Sequence, residues 1–343
     1  MRHGKIQTVL GDIKPSELGI TLTHEHILMK FPYEFFKKRP IAIHDIPRLT
    51  QEKLKEIGDI SLNNENEILP ELLEYKKYGG KSMVDATNIS LNRNPLGLKT
   101  LSEKTGLNII MGAGYYLDPT HPKDMSNRTI NEIKNEMVHD VEIGVKDTKI
   151  KSGIIGEIGI SPISDERKNM TQNEEKVLRA AARAQIETGV PVSIHVGRSR
   201  QSPMEVIGIL EDENADLSRI VLGHLCRTVD SLELLVEIAK KGCYLEYDMF
   251  GLEGYYRQFI PDFVVPNDQG RIQWLKKIIK AGFINKILVS QDIADKTYLI
   301  KYGGYGYGYI LKYVRPWMNH QGITNDQIKT ILVDNPQNML TFK

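Results

Sequence analysis

The sequence predicts an α/β protein with a (β/α)8 TIM barrel fold, and three observations favour it. Eight short apolar runs of strand length recur along the chain. Amphipathic stretches follow most of them, a pattern typical of parallel β/α units. The length of 343 residues suits one large barrel with insertions. No Pro/Gly/Ser-rich linker divides the chain, so we expect a single domain over residues 1–343.

The elements follow from the apolar runs and their stop signals. Helical periodicity covers 174–188 and 230–241, and Gly189 followed by a Val-Pro pair ends the first of these helices and leads into a strand. Eight strands favour a closed barrel over an open doubly wound sheet. The predicted strands are 20–25, 82–86, 108–113, 153–158, 191–196, 220–224, 243–248 and 286–291.

Composition excludes several classes of function. The chain has 45 Lys and Arg against 44 Asp and Glu, a formal charge of +1, which provides no basic surface for nucleic acid or an anionic membrane. No stretch approaches the roughly 18 apolar residues that a membrane span requires. Cys226 and Cys243 are too few for a disulfide framework, and we expect both thiols to be reduced. We therefore expect a cytoplasmic protein.

Histidines and carboxylates cluster where the predicted strands end. His24 and His26 form a His-x-His pair at the end of the first strand, and residues two apart on a strand share a face. The carboxyl ends of parallel barrel strands open on one face, where active sites lie. Each residue alone could be a packing or capping residue, but together they predict a metal centre on that face. The others are Glu157, His195, His224 and Asp292, which close strands four, five, six and eight.

The ligand chemistry favours two divalent ions. Imidazole nitrogens and carboxylate oxygens suit Zn²⁺, with Mn²⁺ or Co²⁺ as alternatives, and the absence of thiolates favours a catalytic site. In this arrangement one ion takes His24, His26 and Asp292, and the other takes His195 and His224. Glu157 and a hydroxide bridge the two ions. The residual charge of about +1 keeps a bound water deprotonated and polarises a carbonyl or phosphoryl oxygen.

The chain resembles the phosphotriesterase-like family of the amidohydrolase superfamily, nearly from end to end. The segments that carry the resemblance are IQTVLGDIKPSELGITLTHEHIL, EEKVLRAAARAQIETGVPVSIH, VLGH, SQDI and YGGYGYGY. It implies a barrel with a binuclear metal centre and assigns His24, His26, His195, His224 and Asp292 as ligands. Asp292 is also implied to be the catalytic residue that transfers protons, and a homodimer is suggested.

At the predicted bridging position this chain differs from many relatives, which carry a carboxylated lysine. Glu157 stands at this position, as in a subgroup close to the bacterial phosphotriesterase homology proteins. Lys151 shares its strand face but lies six residues earlier, which places it about 20 Å away toward the barrel floor. We therefore expect Glu157 to be the bridge.

Basic and aromatic side chains near the predicted ligands indicate what kind of substrate the site binds. Arg227 and Lys296 follow two ligands on predicted βα loops, with Tyr298 nearby, and similar residues occur in relatives that open phosphorylated sugar lactones. Tyr116 or its neighbour Tyr115 matches a tyrosine near the metals of lactonase relatives. We expect Tyr116, Arg227, Lys296 and Tyr298 to bind substrate.

The resulting hypothesis is a metal-dependent lactonase that opens a small phosphorylated furanose lactone by attack of the bridging hydroxide. The alternatives are a phosphotriesterase or an acyl-homoserine lactonase on the same scaffold. From another class, the chain could be a metal-binding barrel without catalytic activity.

Overall fold

Eight parallel strands in sequential order form the wall of a nearly closed barrel. The structure is a computed structural model that describes residues 3–30, 61–161, 169–252 and 264–343. A short antiparallel hairpin, β1 (Ile6–Thr8) and β2 (Gly11–Ile13), precedes the barrel. The barrel strands are β3 (Thr21–Glu25), β4 (Ser82–Asp85), β5 (Asn108–Ala113), β6 (Ile154–Gly159), β7 (Val192–His195), β8 (Ile220–Gly223), β9 (Tyr244–Tyr247) and β10 (Ile287–Val289).

Helices lie between the strands in the described part of the chain. Side-chain oxygens cap several of their first turns; Thr171, for example, accepts from the backbone of Glu174 in a capping box. The α-helices are α1 (Glu65–Lys77), α2 (Pro95–Thr105), α3 (Ile130–Glu142), α4 (Gln172–Thr188), α5 (Ser202–Asp212), α6 (Leu232–Lys241), α7 (Asp268–Lys280), α8 (Arg315–His320), α9 (Asn325–Lys329) and α10 (Asn335–Leu340).

Strand alternation divides the apolar side chains into two layers. On β8, Ile220 and Leu222 belong to the large core that packs against the helices, whereas Val221 belongs to a smaller cluster inside the barrel. On β10, Leu288 likewise points inward. Among the described residues, the interior of the barrel is therefore a packed apolar core.

The hairpin and the carboxyl-terminal helix close the floor of the barrel. Ile6 of β1 and Met339 and Leu340 of α10 join the inner apolar cluster. Backbone hydrogen bonds hold the two chain ends together, from Gly4 N to Phe342 O at 2.9 Å and from Phe342 N to Lys5 O at 2.9 Å. This plug shields the inner cluster from water on the face opposite the predicted site.

The predicted fold class and all eight predicted strands are confirmed, with boundaries that agree to within two residues. The helices predicted over 174–188 and 230–241 correspond to α4 and α6. Gly189 ends α4 with a φ of 71°, a left-handed conformation that glycine adopts easily. The hairpin β1–β2 was not predicted, because its strands are only three residues long. Among the described residues, no helix is long and apolar enough to cross a membrane.

The close approach of β5 and β6 yields a stability prediction. A Cβ at Gly112 would lie 2.2 Å from Gly156 O, so the strands would have to separate. We expect Gly112→Ala to lower the free energy of unfolding by about 1–3 kcal/mol. The control is Gly208→Ala in α5, where a Cβ meets nothing within 4 Å. That variant should gain roughly 0.5–1 kcal/mol from helix propensity. Urea denaturation measures both, and an equal effect of the two variants would contradict the packing account.

Candidate metal centre

Four imidazoles surround one buried carboxylate at the carboxyl end of the barrel. The closest contact joins His195 Nδ1 to Glu157 Oε2 at 3.0 Å. His24 Nε2 and His224 Nε2 each lie 3.4 Å from the same oxygen. His26 Nε2 lies 3.3 Å from Glu157 Oε1. Each imidazole therefore turns one ring nitrogen toward the carboxylate, and both carboxylate oxygens are used.

Asp292 completes the cluster on the side of His24 and His26. Its Oδ1 lies 3.4 Å from His26 Nε2 and 3.8 Å from His24 Nε2. The Asp292 side chain is 23% exposed, whereas the other members are nearly inaccessible. The structure thus brings together all six residues that the sequence analysis assigned to the metal centre.

The geometry of the cluster fits metal binding. In a tetrahedral zinc shell with bonds of 2.0–2.1 Å, two nitrogen or oxygen ligands lie about 3.3 Å apart. Most separations above match that value. His24 Nε2 is buried and has no hydrogen-bond partner, which is costly unless another group binds it. A zinc-type ion in the cluster would satisfy this nitrogen, and Glu157 can reach two ions because its oxygens face different histidines.

Backbone irregularities point several of these side chains into the site. Strict alternation from the inward Ile154 would turn Glu157 outward, but the register of β6 shifts between Ile155 and Ile158. The register of β3 also shifts, between Leu22 and Glu25, the interval that contains His24. His224 and Asp292 follow their strands with positive φ angles of 58° and 51°. Non-glycine residues adopt this conformation at a cost, and such residues concentrate at functional sites.

Burial and neighbouring charges shift the protonation states of the cluster in both directions. The carboxylates outweigh burial and raise the pKa of His24 well above its usual value, that of His26 to about 9 and that of His224 in the same direction. Burial alone would raise the pKa of the Glu157 carboxyl, but the charge of His24 and the hydrogen bonds with His195 and His224 outweigh burial and hold this pKa well below its usual value. Burial, together with the nearby His224, lowers the pKa of His195 well below its usual value. An ionised carboxylate and a neutral imidazole are the forms that bind metal, so binding of an ion would release the protons of the histidines whose pKa is raised.

The ring nitrogens that face away from Glu157 have partners of their own. His26 Nδ1 lies 3.0 Å from Thr87 Oγ1, and the Thr87 hydroxyl donates to Asp85 at 2.8 Å. His24 Nδ1 lies 3.2 Å from Glu246 Oε2, and His224 Nδ1 lies 3.0 Å from Asp248 Oδ1. Such outer partners fix the tautomer and orientation of ligand histidines.

Glu25 stabilises the junction of the first and last barrel strands. It lies between the two ligand histidines in sequence and is fully buried. Its carboxylate accepts hydrogen bonds from Ser290 Oγ at 2.7 Å, Gln291 N at 2.8 Å and Ile293 N at 3.0 Å. Asp292 N donates to His24 O at 3.1 Å, which fixes Asp292 beside the His-x-His segment.

A small cavity opens above the cluster, and Tyr116 lines it. The other lining residues include His26, Glu157 and Asp292, so the cavity gives direct access to the predicted metal centre. Tyr116 Oη lies 3.2 Å from His195 Nδ1. Tyr115 points away, since its hydroxyl donates to Glu136 and accepts from Arg128. Of the two tyrosines left open by the sequence, Tyr116 is therefore the one that faces the site.

Arg227 lies on the opposite edge of His195. Its Nη2 is 3.1 Å from His195 Nε2 and donates to Val196 O at 3.3 Å, and its Nη1 donates to Thr228 Oγ1 at 3.3 Å. The residue is only 2% exposed. Within the described part of the chain, no carboxylate lies at ion-pair distance from this guanidinium. A buried cation of this kind favours an anionic ligand.

Comparisons with known proteins decide the family. The sequence profile of the Phosphotriesterase family matches residues 4–340. The chain belongs to the phosphotriesterase family. It is 41% identical over 350 residues to the N-acetyltaurine hydrolase of Homo sapiens, with 99% of both chains covered. It is therefore a hydrolase of this family.

Two solved structures extend the comparison. A resiniferatoxin-binding protein from Rhodobacter sphaeroides has a TM-score of 0.90 and 31% identity, covering 98% of this chain and 95% of that one. The lactonase Lmo2620 from Listeria monocytogenes has a TM-score of 0.79 and 28% identity, covering 99% of each chain. The family normally holds two metal ions, and the clusters described above could bind them.

The remaining predicted substrate residues of this phosphotriesterase-family protein lie on a short 3₁₀ turn, Lys296–Tyr298. Lys296 Nζ lies 3.7 Å from Glu67 Oε2, in an ion-pair network with Lys301 that ties this loop to α1. Tyr298 is half-buried and packs against the main core. Lys296 would have to leave Glu67 to bind a substrate, so the role of both residues stays a prediction.

Sequence reasoning missed the outer partners of the ligands. Glu246 and Asp248 lie two residues apart at the end of β9, on its inward face with Tyr244. This is the spacing that identified His24 and His26, so the same test applied to carboxylates in strand 243–248 would have found them. Glu25 could not have been found this way, because its partners are the Ser290 hydroxyl and two backbone N–H groups of a segment far away in the sequence.

The role of Glu25 is testable. In Glu25→Gln an amide NH₂ would replace one of the acceptor oxygens and face a buried N–H donor, which costs about 1–3 kcal/mol. We expect this loss of stability together with faster hydrogen exchange at the amides of Gln291 and Ile293. The control is Glu17→Gln, whose carboxylate accepts only from the backbone of Lys14 in the described structure, at an exposed position. Unchanged exchange at both amides would contradict the assigned role.

Proposed function

We propose that this hydrolase cleaves the amide bond of a short N-acyl amine whose amine part ends in an anion, with N-acetyltaurine as the first substrate to test. The support from the comparisons is the human relative named N-acetyltaurine hydrolase, which is more similar in sequence than the lactonase. Taurine carries a sulfonate, so such a substrate brings a permanent negative charge.

The observation that carries this proposal is the buried guanidinium of Arg227. It contacts His195, whose other ring nitrogen faces Glu157 at 3.0 Å. An anion bound by Arg227 would therefore lie one imidazole width from the metal centre, a distance that suits a short linker between the anion and the amide. Hydrogen bonds between charged groups contribute about 1.5–3 kcal/mol each, enough to select anionic substrates over neutral ones.

The chemistry divides between the metal ions and the protein's own groups. Two divalent ions held by the six ligands would supply an activated water and polarise the substrate carbonyl. Asp292 is the most exposed ligand and lines the cavity, so its carboxylate can accept the proton of the attacking water. The water oxygen bonds to the carbonyl carbon, the C–N bond breaks, and Asp292 returns the proton to the departing amine. The Tyr116 hydroxyl lines the same cavity and can donate to the carbonyl oxygen.

The second candidate is the phosphorylated furanose lactone predicted from the sequence. The same attack opens a lactone, with the ring oxygen as leaving group in place of the amine. The similarity to a lactonase across the whole chain favours it, and Arg227 would then bind the phosphate. The two candidates share the metal chemistry and differ in the bond that breaks.

A substrate panel on the metal-loaded protein separates these functions. It contains N-acetyltaurine, N-acetylpropylamine as its neutral analogue, sugar lactones with and without a terminal phosphate, acyl-homoserine lactones and a chromogenic phosphotriester. Release of amine or acid measures turnover. We expect the highest kcat/KM for N-acetyltaurine. Turnover confined to lactones or triesters would overturn the amide proposal, and a metal-loaded protein inactive on the whole panel would favour the non-catalytic barrel.

Asp292→Asn tests the proton transfer. We expect kcat to fall by about 10²–10⁴-fold because the amide cannot accept the proton, while KM changes little. Because Asp292 also faces the metal centre, metal content is measured in the same samples. A variant with full metal content and normal kcat would contradict the assigned role.

Arg227→Met tests recognition of the anion. We expect kcat/KM for N-acetyltaurine to fall by about 10- to 100-fold relative to N-acetylpropylamine. The comparison between two substrates cancels any effect of the substitution on His195. The control is Arg200→Met, which removes an exposed arginine that pairs with Asp230 at 2.5 Å. Equal losses on the anionic and neutral substrates would exclude Arg227 as the anion-binding residue.

A further inference from the structure

Two buried carboxylates lie on the outer side of the ligand histidines. Glu246 and Asp248 are completely inaccessible to solvent and both point into the barrel from the end of β9. His24 Nδ1 lies 3.2 Å from Glu246 Oε2 and 3.4 Å from Asp248 Oδ2. The family comparison assigns neither residue a role, and the catalytic scheme above does not use them.

Asp248 holds His224 at two points. Its Oδ2 accepts from the backbone N–H of His224 at 2.8 Å, and its Oδ1 lies 3.0 Å from His224 Nδ1. The first bond fixes the backbone of His224 in its left-handed conformation, with φ at 58°. The second is a contact at ion-pair distance that limits the rotation of the ring, and neither of its two atoms has a hydrogen-bond partner among the described residues. One carboxylate therefore controls where His224 Nε2 points.

The tautomer of a ligand histidine follows from these contacts. A neutral imidazole has one N–H and one lone pair. If Nδ1 donates its hydrogen to a carboxylate, then Nε2 keeps the lone pair that a metal ion requires. His24 and His224 both direct Nε2 toward Glu157, so a hydrogen on that nitrogen would block metal binding.

We propose that Glu246 and Asp248 are positioning residues that fix the tautomer and orientation of His24 and His224 and thereby raise the affinity of the centre for its metal ions. The proposal concerns the metal centre and is independent of the substrate. Failure of the amide assay would therefore leave it standing.

A rival explanation is that these carboxylates hold an ion of their own with His24, since the three groups lie close enough together. The positioning role is favoured because Asp248 already accepts the backbone N–H of His224 and faces its ring. Asp248 Oδ2 already accepts a hydrogen bond, and His24 would have to give up its Nδ1 hydrogen to bind a further ion. Metal stoichiometry distinguishes the two explanations.

Three variants of the full-length protein test the proposal. Glu246→Leu removes the acceptor of His24 Nδ1, whereas Glu246→Gln keeps an oxygen that can accept. Asp248→Asn leaves only one acceptor oxygen for the backbone N–H and ring of His224. Metal-stripped proteins are titrated with Zn²⁺ against a chromogenic chelator, and bound metal is counted by elemental analysis. We expect Glu246→Leu and Asp248→Asn to bind about 10- to 100-fold more weakly, and Glu246→Gln to keep most of the affinity.

The matched control is Glu174→Gln. Glu174 is equally buried and its carboxylate accepts several hydrogen bonds, including those from Ser161 and Thr171, but it contacts no ligand histidine. We expect it to lose stability, measured by thermal unfolding of the metal-free protein, without losing metal affinity. Wild-type affinity in Glu246→Leu and Asp248→Asn, or an equal loss in all four variants, would overturn the proposal. A further ion that is bound by the wild type and lost in Glu246→Leu would overturn it in favour of the rival.

Discussion

The buried carboxylate of Glu157 is the group on which the rest of the site depends. Four imidazoles meet it within 3.0–3.4 Å, and an isolated negative charge at such a depth would be very unfavourable. The imidazoles that face this carboxylate reduce that cost only if each one keeps its ring in a single orientation. The surrounding structure provides this constraint through Thr87, Glu246 and Asp248. The centre is therefore preorganised by partners that never contact the substrate.

Closure of the barrel also helps to preorganise the predicted metal centre. The first and last strands meet at the carboxyl end, where Glu25 accepts hydrogen bonds from the Ser290–Ile293 segment. Tyr307, from the tyrosine- and glycine-rich loop, donates to His26 O at 2.6 Å and supports the junction from outside. Asp292 must lie close to the His-x-His pair to share an ion with it. The junction that closes the barrel thus also brings these predicted ligands together.

Much of the fold and of the centre could be predicted because both follow from periodic features of the sequence. Apolar runs identified all eight barrel strands, and ligand-type residues at their ends identified the cluster. The register shifts of β3 and β6 could not be predicted, because they depend on how neighbouring strands pair. The direction of Tyr116 was likewise decided by packing, which directs Tyr115 toward Glu136. Lys296 illustrates a different limit, since a local pattern cannot reveal a partner on α1 that is distant in sequence.

Metal counting tests the central claim most directly, namely that Glu157 bridges two ions. The stripped protein and a Glu157→Gln variant are dialysed to equilibrium against Zn²⁺, and bound metal is measured by elemental analysis with protein concentration determined on the same samples. The account predicts about two ions per wild-type chain and the loss of at least one in the variant, because an amide offers only one oxygen for coordination. One ion or none in the wild type, or two ions bound with unchanged affinity by Glu157→Gln, would contradict it.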